Sequence, residues 1–554
     1  MSVGRLGRVC AVAAASLAAA VLGTGVAEAR TSLVEVDAAG AAGAIELERI
    51  GLDVVRIRAD AVEVQLHSER DERALDRSGH ASQVLIANLD AQSREAREAE
   101  DRREARRRAE PQLSSALPTG RVSYRTLDEI NGELRALANR YPDRVKLFAL
   151  PNRSLLGKTI WGVEISHDVH TDSGKPVFLN TGVHHAREWP TAEFVLEFAT
   201  EALQLDGKDP QITELLERGK LISVPVVNPD GYDISRRLVQ EQKRKNCRVN
   251  PGEVPTAAEC EAPANASFGV DPNRNYGTFW GGPGSSANRS ASNHRGEAPF
   301  SEPEIQNMRE LAADNQVTVA INNHTPDERL LRAPSSSNEP VPADVVVYDA
   351  LAQLLGADLQ FPAGPWTEIY YEASGTAEQT AYYGAGTLAF TPELTPGFGG
   401  ADRFHPPYEY VVDQYLGVDF YEGSSIRAAY LTAFGAAIDE ARHSVITGKA
   451  PKDAELEISK TVRLDTSAID GTGPVSSFGL EYESTLDPPE NGKFSWHVNP
   501  SLRPSQYASA HLREAWTITC TPRKGAAQTL EVVVERGEAA QVDLKPCGKE
   551  GSGS

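Results

Sequence analysis

Apolar positions follow two different rhythms along this chain. From about residue 120 to 445, short apolar runs alternate with stretches in which apolar residues recur three or four apart. The runs predict buried strands over 145–150, 159–165, 177–183, 221–227, 317–323 and 387–391. The wider spacing predicts helices over 190–202, 211–218, 302–315 and 343–355, after a first one over 124–140 in which Leu127, Ile130, Leu134 and Leu137 share a face. Ser301 and Glu304 carry the spacing of a capping box. This alternation predicts an α/β unit, a mixed, mostly parallel twisted sheet with helices on both faces. After Pro451 the rhythm changes to period two, at 461–464, 494–498, 515–520, 530–535 and 540–544. That pattern predicts a small C-terminal β-sandwich whose last two strands pair across a turn. Before the α/β unit, 52–58 and 62–66 alternate as short half-buried strands. Residues 90–110 are charged, mixed in sign and without an apolar stripe, the pattern of a solvated helix or a flexible linker.

Length and composition narrow the class. The 554 residues exceed one ordinary core, and 40% apolar with 24% charged residues is a soluble globular balance. A formal net charge of −22 argues against nucleic acid, whose phosphates need a basic surface. It leaves room for a basic substrate. The chain starts with Arg5 and Arg8, continues apolar from Val9 to Leu22 and ends the segment in Ala27-Glu28-Ala29, the layout of a cleaved export signal. No later segment is apolar enough to span a bilayer, so a secreted product free of the membrane is expected, as a monomer. Cys10 leaves with the signal. Cys247 and Cys260 are sequence neighbours, as are Cys520 and Cys547, which suggests two local disulfides, although four cysteines allow three connectivities. The expected plan is a signal at 1–29, a pro-region with a charged, cleavable linker at 30–117, the α/β unit at 118–448, a β-sandwich at 452–548 closed by Cys520 and Cys547, and a tail at 549–554.

Candidate chemistry sits at the strand ends. After the run ending in Thr181, the segment Gly182-Val-His-His185-Ala-Arg187-Glu188 offers an imidazole and a carboxylate three residues apart. Zinc takes such nitrogen and oxygen donors, usually three from the protein, but this pair alone is a weak signal. His185, Asn228, His324 and Glu393 each follow an apolar strand, and in this architecture ligands lie beyond the carboxyl ends of strands. The four should therefore converge on one crevice. The basic triplet Lys243-Arg244-Lys245 has the look of a solvated face, and 281–293 that of a flexible loop.

Taken together, residues 120–445 resemble the zinc carboxypeptidases of the carboxypeptidase A/B family. The match consists of ordered segments: Gly-Val-His-His185-Ala-Arg187-Glu188-Trp, Asn228-Pro-Asp-Gly-Tyr, Gly-Val-Asp271-Pro-Asn273-Arg274-Asn, Phe300-Ser-Glu-Pro-Glu, His324, Ile369-Tyr-Tyr371-Glu-Ala-Ser-Gly and Phe390-Thr-Pro-Glu393-Leu. The resemblance implies a zinc ion held by His185, Glu188 and His324. His184 rivals His185, but the family pattern selects the histidine three before the glutamate. It implies Asp271 orienting His185, Glu393 as general base, and Arg244 steadying the tetrahedral oxygen. It further implies Asn273 and Arg274 holding the substrate's terminal carboxylate, Tyr371 closing over the last residue, and Arg187 touching the peptide upstream. Glu378 falls where the family places the floor of the side-chain pocket, and an acid there favours C-terminal Lys or Arg. Thr325-Pro326 departs from the small-then-aromatic pair usual after the zinc histidine, and both cysteines of the insert precede Asp271. A secreted metallocarboxypeptidase acting on peptide and protein C-termini is the leading expectation. The alternatives are a zinc amidase on cell-wall peptides or acylated amino acids, and an inactive peptide-binding homologue.

Overall fold

The computed structural model describes residues 31–394, 402–545 and 547–548. The expected export signal and tail lie outside the described residues. Among the described residues no helix is long and apolar enough to cross a membrane.

The N-terminal unit is a four-stranded antiparallel sheet, in the order Asp53–Ile57, Val62–Leu66, Ser32–Val36, Ser82–Ile86. Helices Gly40–Arg49 and Glu69–Ser78 complete it, around Val36, Leu47, Val62, Val64 and Leu75. The charged stretch that follows is one helix, Leu89–Ala109, capped by Asn88, whose side chain accepts from the Ala91 N–H at 3.0 Å.

The central unit carries an eight-stranded sheet, in the order Ala363–Pro365, Arg329–Arg332, Leu388–Glu393, Val317–Asn322, Val177–Thr181, Lys220–Val224, Trp161–Ile165, Val145–Ala149. The middle pairs are parallel and the pairs towards Val145–Ala149 antiparallel. Every residue of Val177–Thr181 is buried, as expected of a strand covered on both faces. The first helix, Leu127–Arg140, opens with a full capping box between Thr126 and Glu129. The box expected at Ser301 does not form. That helix runs Pro303–Ala313 with Glu302 at its N-cap, because Pro303 fixes the first helical φ and has no N–H to cap. Ser301 instead donates to Glu302 Oε1 at 2.9 Å.

The C-terminal unit has one sheet of Lys493–Val498, Ser444–Lys449 and Ala539–Asp543, and a second of Ser477–Leu486, Glu455–Asp465, Trp516–Thr521 and Gln528–Val532. The expected terminal hairpin is absent. Gln528–Val532 pairs with Trp516–Thr521, whereas Ala539–Asp543 runs parallel to Ser444–Lys449 in the other sheet. The crossing is held by Gly537 N–H donating to the His443 carbonyl (2.7 Å) and Val445 N–H to that of Glu538 (3.0 Å). Alternation fixes which side of a strand is buried; it does not name the neighbour. Both neighbouring cysteine pairs are bridged, Cys247–Cys260 and Cys520–Cys547. One continuous apolar core runs from Leu179 and Phe390 of the central sheet to Trp496, Trp516 and Ile518 of the C-terminal unit.

Candidate metal centre and substrate cleft

The chain reverses sharply between strand Val177–Thr181 and helix Trp189–Leu205. A Cβ at Gly182 would lie 2.8 Å from the Pro225 carbonyl oxygen and 2.9 Å from that of Thr191, so only glycine fits. Val183 follows in the left-handed region (φ 49°), with its N–H on Thr191 Oγ1 at 2.9 Å. This turn presents His185 and Glu188 together. His324 leaves the end of Val317–Asn322 and bridges Glu393 at the end of Leu388–Glu393.

The three expected ligands meet. His185 Nδ1 is 2.7 Å from Glu188 Oε1, His324 Nδ1 is 2.9 Å from Glu188 Oε2, and the two Nδ1 atoms are 3.0 Å apart. All three side chains are buried. Burial, reinforced by Arg244, lowers His185 and takes His324 down to about 3, so both rings are neutral and carry lone pairs for a metal. Two facing imidazole nitrogens beside a carboxylate suit a divalent cation between them, and this donor set is that of zinc. His184 points elsewhere, with Nε2 2.8 Å from the Tyr276 hydroxyl.

Around the triad, the expected residues hold varied partners. Asp271 accepts from His185 Nε2 (3.0 Å), which leaves Nδ1 for the metal, and from Arg244 Nε (3.1 Å) and Nη2 (2.8 Å). Burial would raise Asp271, but Arg244 and His185 hold it well below the usual carboxylate range. Asn273 Oδ1 accepts the Ala377 N–H at 3.0 Å, and its Nδ2 lies 3.3 Å from His324 Nε2. Arg274 gives Nε to the Gly284 carbonyl (2.9 Å) and Nη1 to that of Asn273 (2.8 Å), while its buried Nη2 has no partner. Glu393 is buried, and burial together with the charge of Glu188 pushes its carboxyl well up. Glu378 is not turned to solvent. It is 1% exposed and accepts hydroxyl hydrogen bonds from Ser335 (2.9 Å), Thr376 (2.6 Å) and Thr391 (3.0 Å).

Two segments depart from the sequence expectation. The Lys243-Arg244-Lys245 triplet is no solvated face: Lys243 and Lys245 are buried, and Lys245 Nζ donates to the carbonyls of Arg289 (2.9 Å) and Ala291 (2.6 Å). The 281–293 segment is anchored: a Cβ at Gly284 would meet the Glu372 carbonyl oxygen, so this loop packs against the segment after Tyr371.

The N-terminal unit covers the cleft. Its edge strand places Asp53 on Arg187, which donates from Nη1 and, at 2.9 Å, from Nη2; Gln65 accepts from Nη1 at 2.7 Å. The backbone of Ile57 is gripped on both sides, its N–H by Asp327 (3.3 Å) and its carbonyl by Arg329 Nη2 (2.9 Å). Leu331, Trp366, Tyr370 and Tyr371 belong to the N-terminal unit's own apolar cluster. Burial raises Glu48 to about 8 although Arg274 and Arg244 oppose it. A cavity of about 490 Å³ remains between the two units beside Asp53, His67 and Arg244. Sequence reasoning named none of Glu48, Asp53, Asp327 or Arg329. The available signal was an acid–acid–base run three residues after His324.

The profile of the zinc carboxypeptidase family matches residues 130–415, more than half of the chain. Mouse carboxypeptidase A2 is 30% identical over 273 residues, 47% of this chain and 60% of the relative, so the chain spans about 60% of that protein's length. A zinc carboxypeptidase of Simulium vittatum is 28% identical over 306 residues, 52% of this chain and 93% of its own. The crystal structure of carboxypeptidase A from Helicoverpa armigera superimposes with a TM-score of 0.59 at 23% identity, covering 74% of this chain and all of that one, which shows a shared fold. A match over that much of the sequence, with the metal triad assembled inside it, makes this protein a member of the zinc carboxypeptidase family.

Proposed function

We propose that this protein is an exported zinc carboxypeptidase that removes C-terminal residues, preferably Lys or Arg, once its N-terminal domain has left the cleft. One observation carries the reading: a buried guanidinium nitrogen, Arg274 Nη2, without a partner, on a residue adjacent to Asn273 and the metal triad. An unpaired buried donor is costly, and a substrate carboxylate would satisfy it with a charge-assisted bond. That bond restricts cleavage to a free chain end.

Zinc at His185, Glu188 and His324 would polarise the scissile carbonyl and acidify a water molecule. Glu393 takes the proton of the attacking water and passes it to the leaving amine. Its raised carboxyl suits the second step, and a cation beside it favours the ionised form needed for the first. Arg244, locked by Asp271, steadies the oxyanion. Asn273 and Arg274 seat the terminal carboxylate. Arg187 and Tyr371, both beneath the N-terminal domain, are left for the upstream backbone and the last side chain.

The reading is tested with blocked dipeptides ending in free Arg, Lys, Phe or Leu, with and without chelator. Cleavage that stops with chelator and returns with zinc is expected; chelator-insensitive cleavage, or none after release of the N-terminal domain, would overturn it. His324→Ala should cut bound zinc, measured by elemental analysis, to less than about a tenth of wild type, since the remaining pair cannot close a three-ligand site.

Glu378 supports the basic preference. No Lys, Arg or His among the described residues pairs with this buried carboxylate; three neutral hydroxyls hold it. A cationic side chain would supply the missing charge. Glu378→Gln, which keeps acceptors for those hydroxyls, should lower the kcat/KM ratio of Arg over Leu substrates by about a hundredfold, near 2.7 kcal/mol. An unchanged ratio would remove Glu378 from the pocket.

A further inference from the structure

The C-terminal domain shares an apolar core with the central unit, and it also grips the segment that follows Arg274. Between strands Glu455–Asp465 and Ser477–Leu486 the chain makes a loop that runs alongside residues 279–281. Phe279 N–H donates to the Asp465 carbonyl (3.2 Å), Ser467 N–H to that of Trp280 (3.0 Å) and Asp470 N–H to that of Gly281 (3.0 Å). Side chains reinforce this ladder. Ser467 Oγ donates to the Phe279 carbonyl (2.9 Å) and accepts from Asn338 Nδ2 (2.6 Å); Asp470 takes both Nη groups of Arg295 (2.9 and 3.2 Å). Gln506 holds the start of the loop by bonding both backbone groups of Asp465 at 2.9 Å. From the strand beyond, the Phe478 ring sits where a Cβ at Gly277 would come within 2.5 Å.

The segment so gripped is the one that seats Arg274. It leaves Arg274, passes Tyr276, whose N–H donates to the Gly375 carbonyl (3.0 Å), and returns at Gly284, whose carbonyl accepts Arg274 Nε (2.9 Å). On one side the segment is tied to the chain after Tyr371, through Gly375. On the other it is tied through residues 279–281 to the C-terminal domain, beside a bond from Trp280 Nε1 to the Arg295 carbonyl (3.0 Å) and the edge contact of Phe279 on Tyr383. The loop at 465–470 is thus one of the supports of the far limb whose Gly284 carbonyl, with that of Asn273, fixes the direction of the Arg274 guanidinium.

We propose that the C-terminal domain is a positioning element of the peptidase: through Ser467 and Asp470 it aims Arg274, and thereby sets the affinity for the substrate's terminal carboxylate. This rests on the reading of Arg274 given under Proposed function. Ser467 and Asp470 touch no reacting atom, so they act on binding and not on the chemical step.

The test uses the zinc-loaded enzyme after release of its N-terminal domain, with its C-terminal domain intact. Ser467→Ala and Asp470→Ala should each raise KM for a blocked dipeptide ending in free Arg by about threefold to tenfold, with kcat within about twofold, the signature of lost substrate binding. Free arginine should weaken as a competitive inhibitor by the same factor, and Ser467→Thr should restore both constants. The Asp470 side chain is 62% exposed, so its loss opens no cavity, and Asp470→Asn, which suits the same left-handed backbone (φ 50°), is measured beside Asp470→Ala to separate backbone strain from loss of the carboxylate. Variants whose active fraction keeps wild-type KM and inhibition constant, with only yield or thermal stability reduced, would reduce the contact to scaffolding and overturn the proposal. A wild type inactive on free-carboxylate substrates would instead defeat the reading of Arg274 itself; the two failures are distinct.

Discussion

Glu393→Gln should lower kcat by about 10³-fold while zinc content and KM stay near wild type. The substitution keeps shape and removes only the proton acceptor. The position of the side chain is set by the backbone, through His324 N–H on the Pro392 carbonyl (2.9 Å) and Leu394 N–H on that of His324 (2.7 Å), so an amide at 393 should not disturb the fold. Glu393 is also outside the ligand set of His185, Glu188 and His324, so metal should remain bound. Stopped assays on a blocked dipeptide, alongside elemental analysis, separate the two effects. A variant that retains a tenth or more of wild-type kcat would exclude Glu393 as the base; loss of zinc would show that it contributes to the metal site instead.

The site was legible in sequence because its parts stand at the ends of apolar runs. A strand buried on both faces writes a continuous apolar signal, and the residue where that signal stops is the one delivered to the crevice, as with His185, His324 and Glu393. What stayed hidden are contacts between segments far apart in the chain. The strand 53–57 was expected to be half-buried and is buried at every position except Arg56; nothing in its alternation says that Asp53 lies against Arg187. Lys245 looked solvated because charge is usually a surface signal; its burial depends on two carbonyls more than forty residues away. The terminal strand was placed beside the wrong neighbour for the same reason. Periodicity reports exposure and is blind to partners.

Such a partner underlies the other large effect. With the N-terminal domain seated, Arg187 is taken by Asp53, Tyr371 is packed away, and the cleft backbone contacts Asp327 and Arg329 are spent on Ile57. The intact chain should hydrolyse dipeptides slowly. Limited cleavage near the exposed Arg108, at the end of the charged helix, should raise kcat/KM by at least about a hundredfold, because blocked and free cleft differ by whole contacts and not by one bond. Asp53→Ala should raise the activity of the intact chain, since removing one partner of a buried ion pair costs about 3–5 kcal/mol of docking. The pH dependence has a definite sign. Glu48 has its carboxyl raised from 4.5 to about 8 in the docked state, so between those values the docked form holds a proton that the released form lacks, and docking weakens as pH rises. Asp327, raised to about 6, acts in the same direction over the lower part of that window. Asp53, held well below its ordinary value by Arg187 and His67 against the effect of burial, is ionised in both states there and adds no slope. Cleaved but unseparated protein should therefore be more active relative to purified catalytic fragment at pH 8 than at pH 5.5, and Glu48→Gln should flatten that difference. Equal activity of intact and cleaved chains at every pH would show that the N-terminal domain leaves the cleft open.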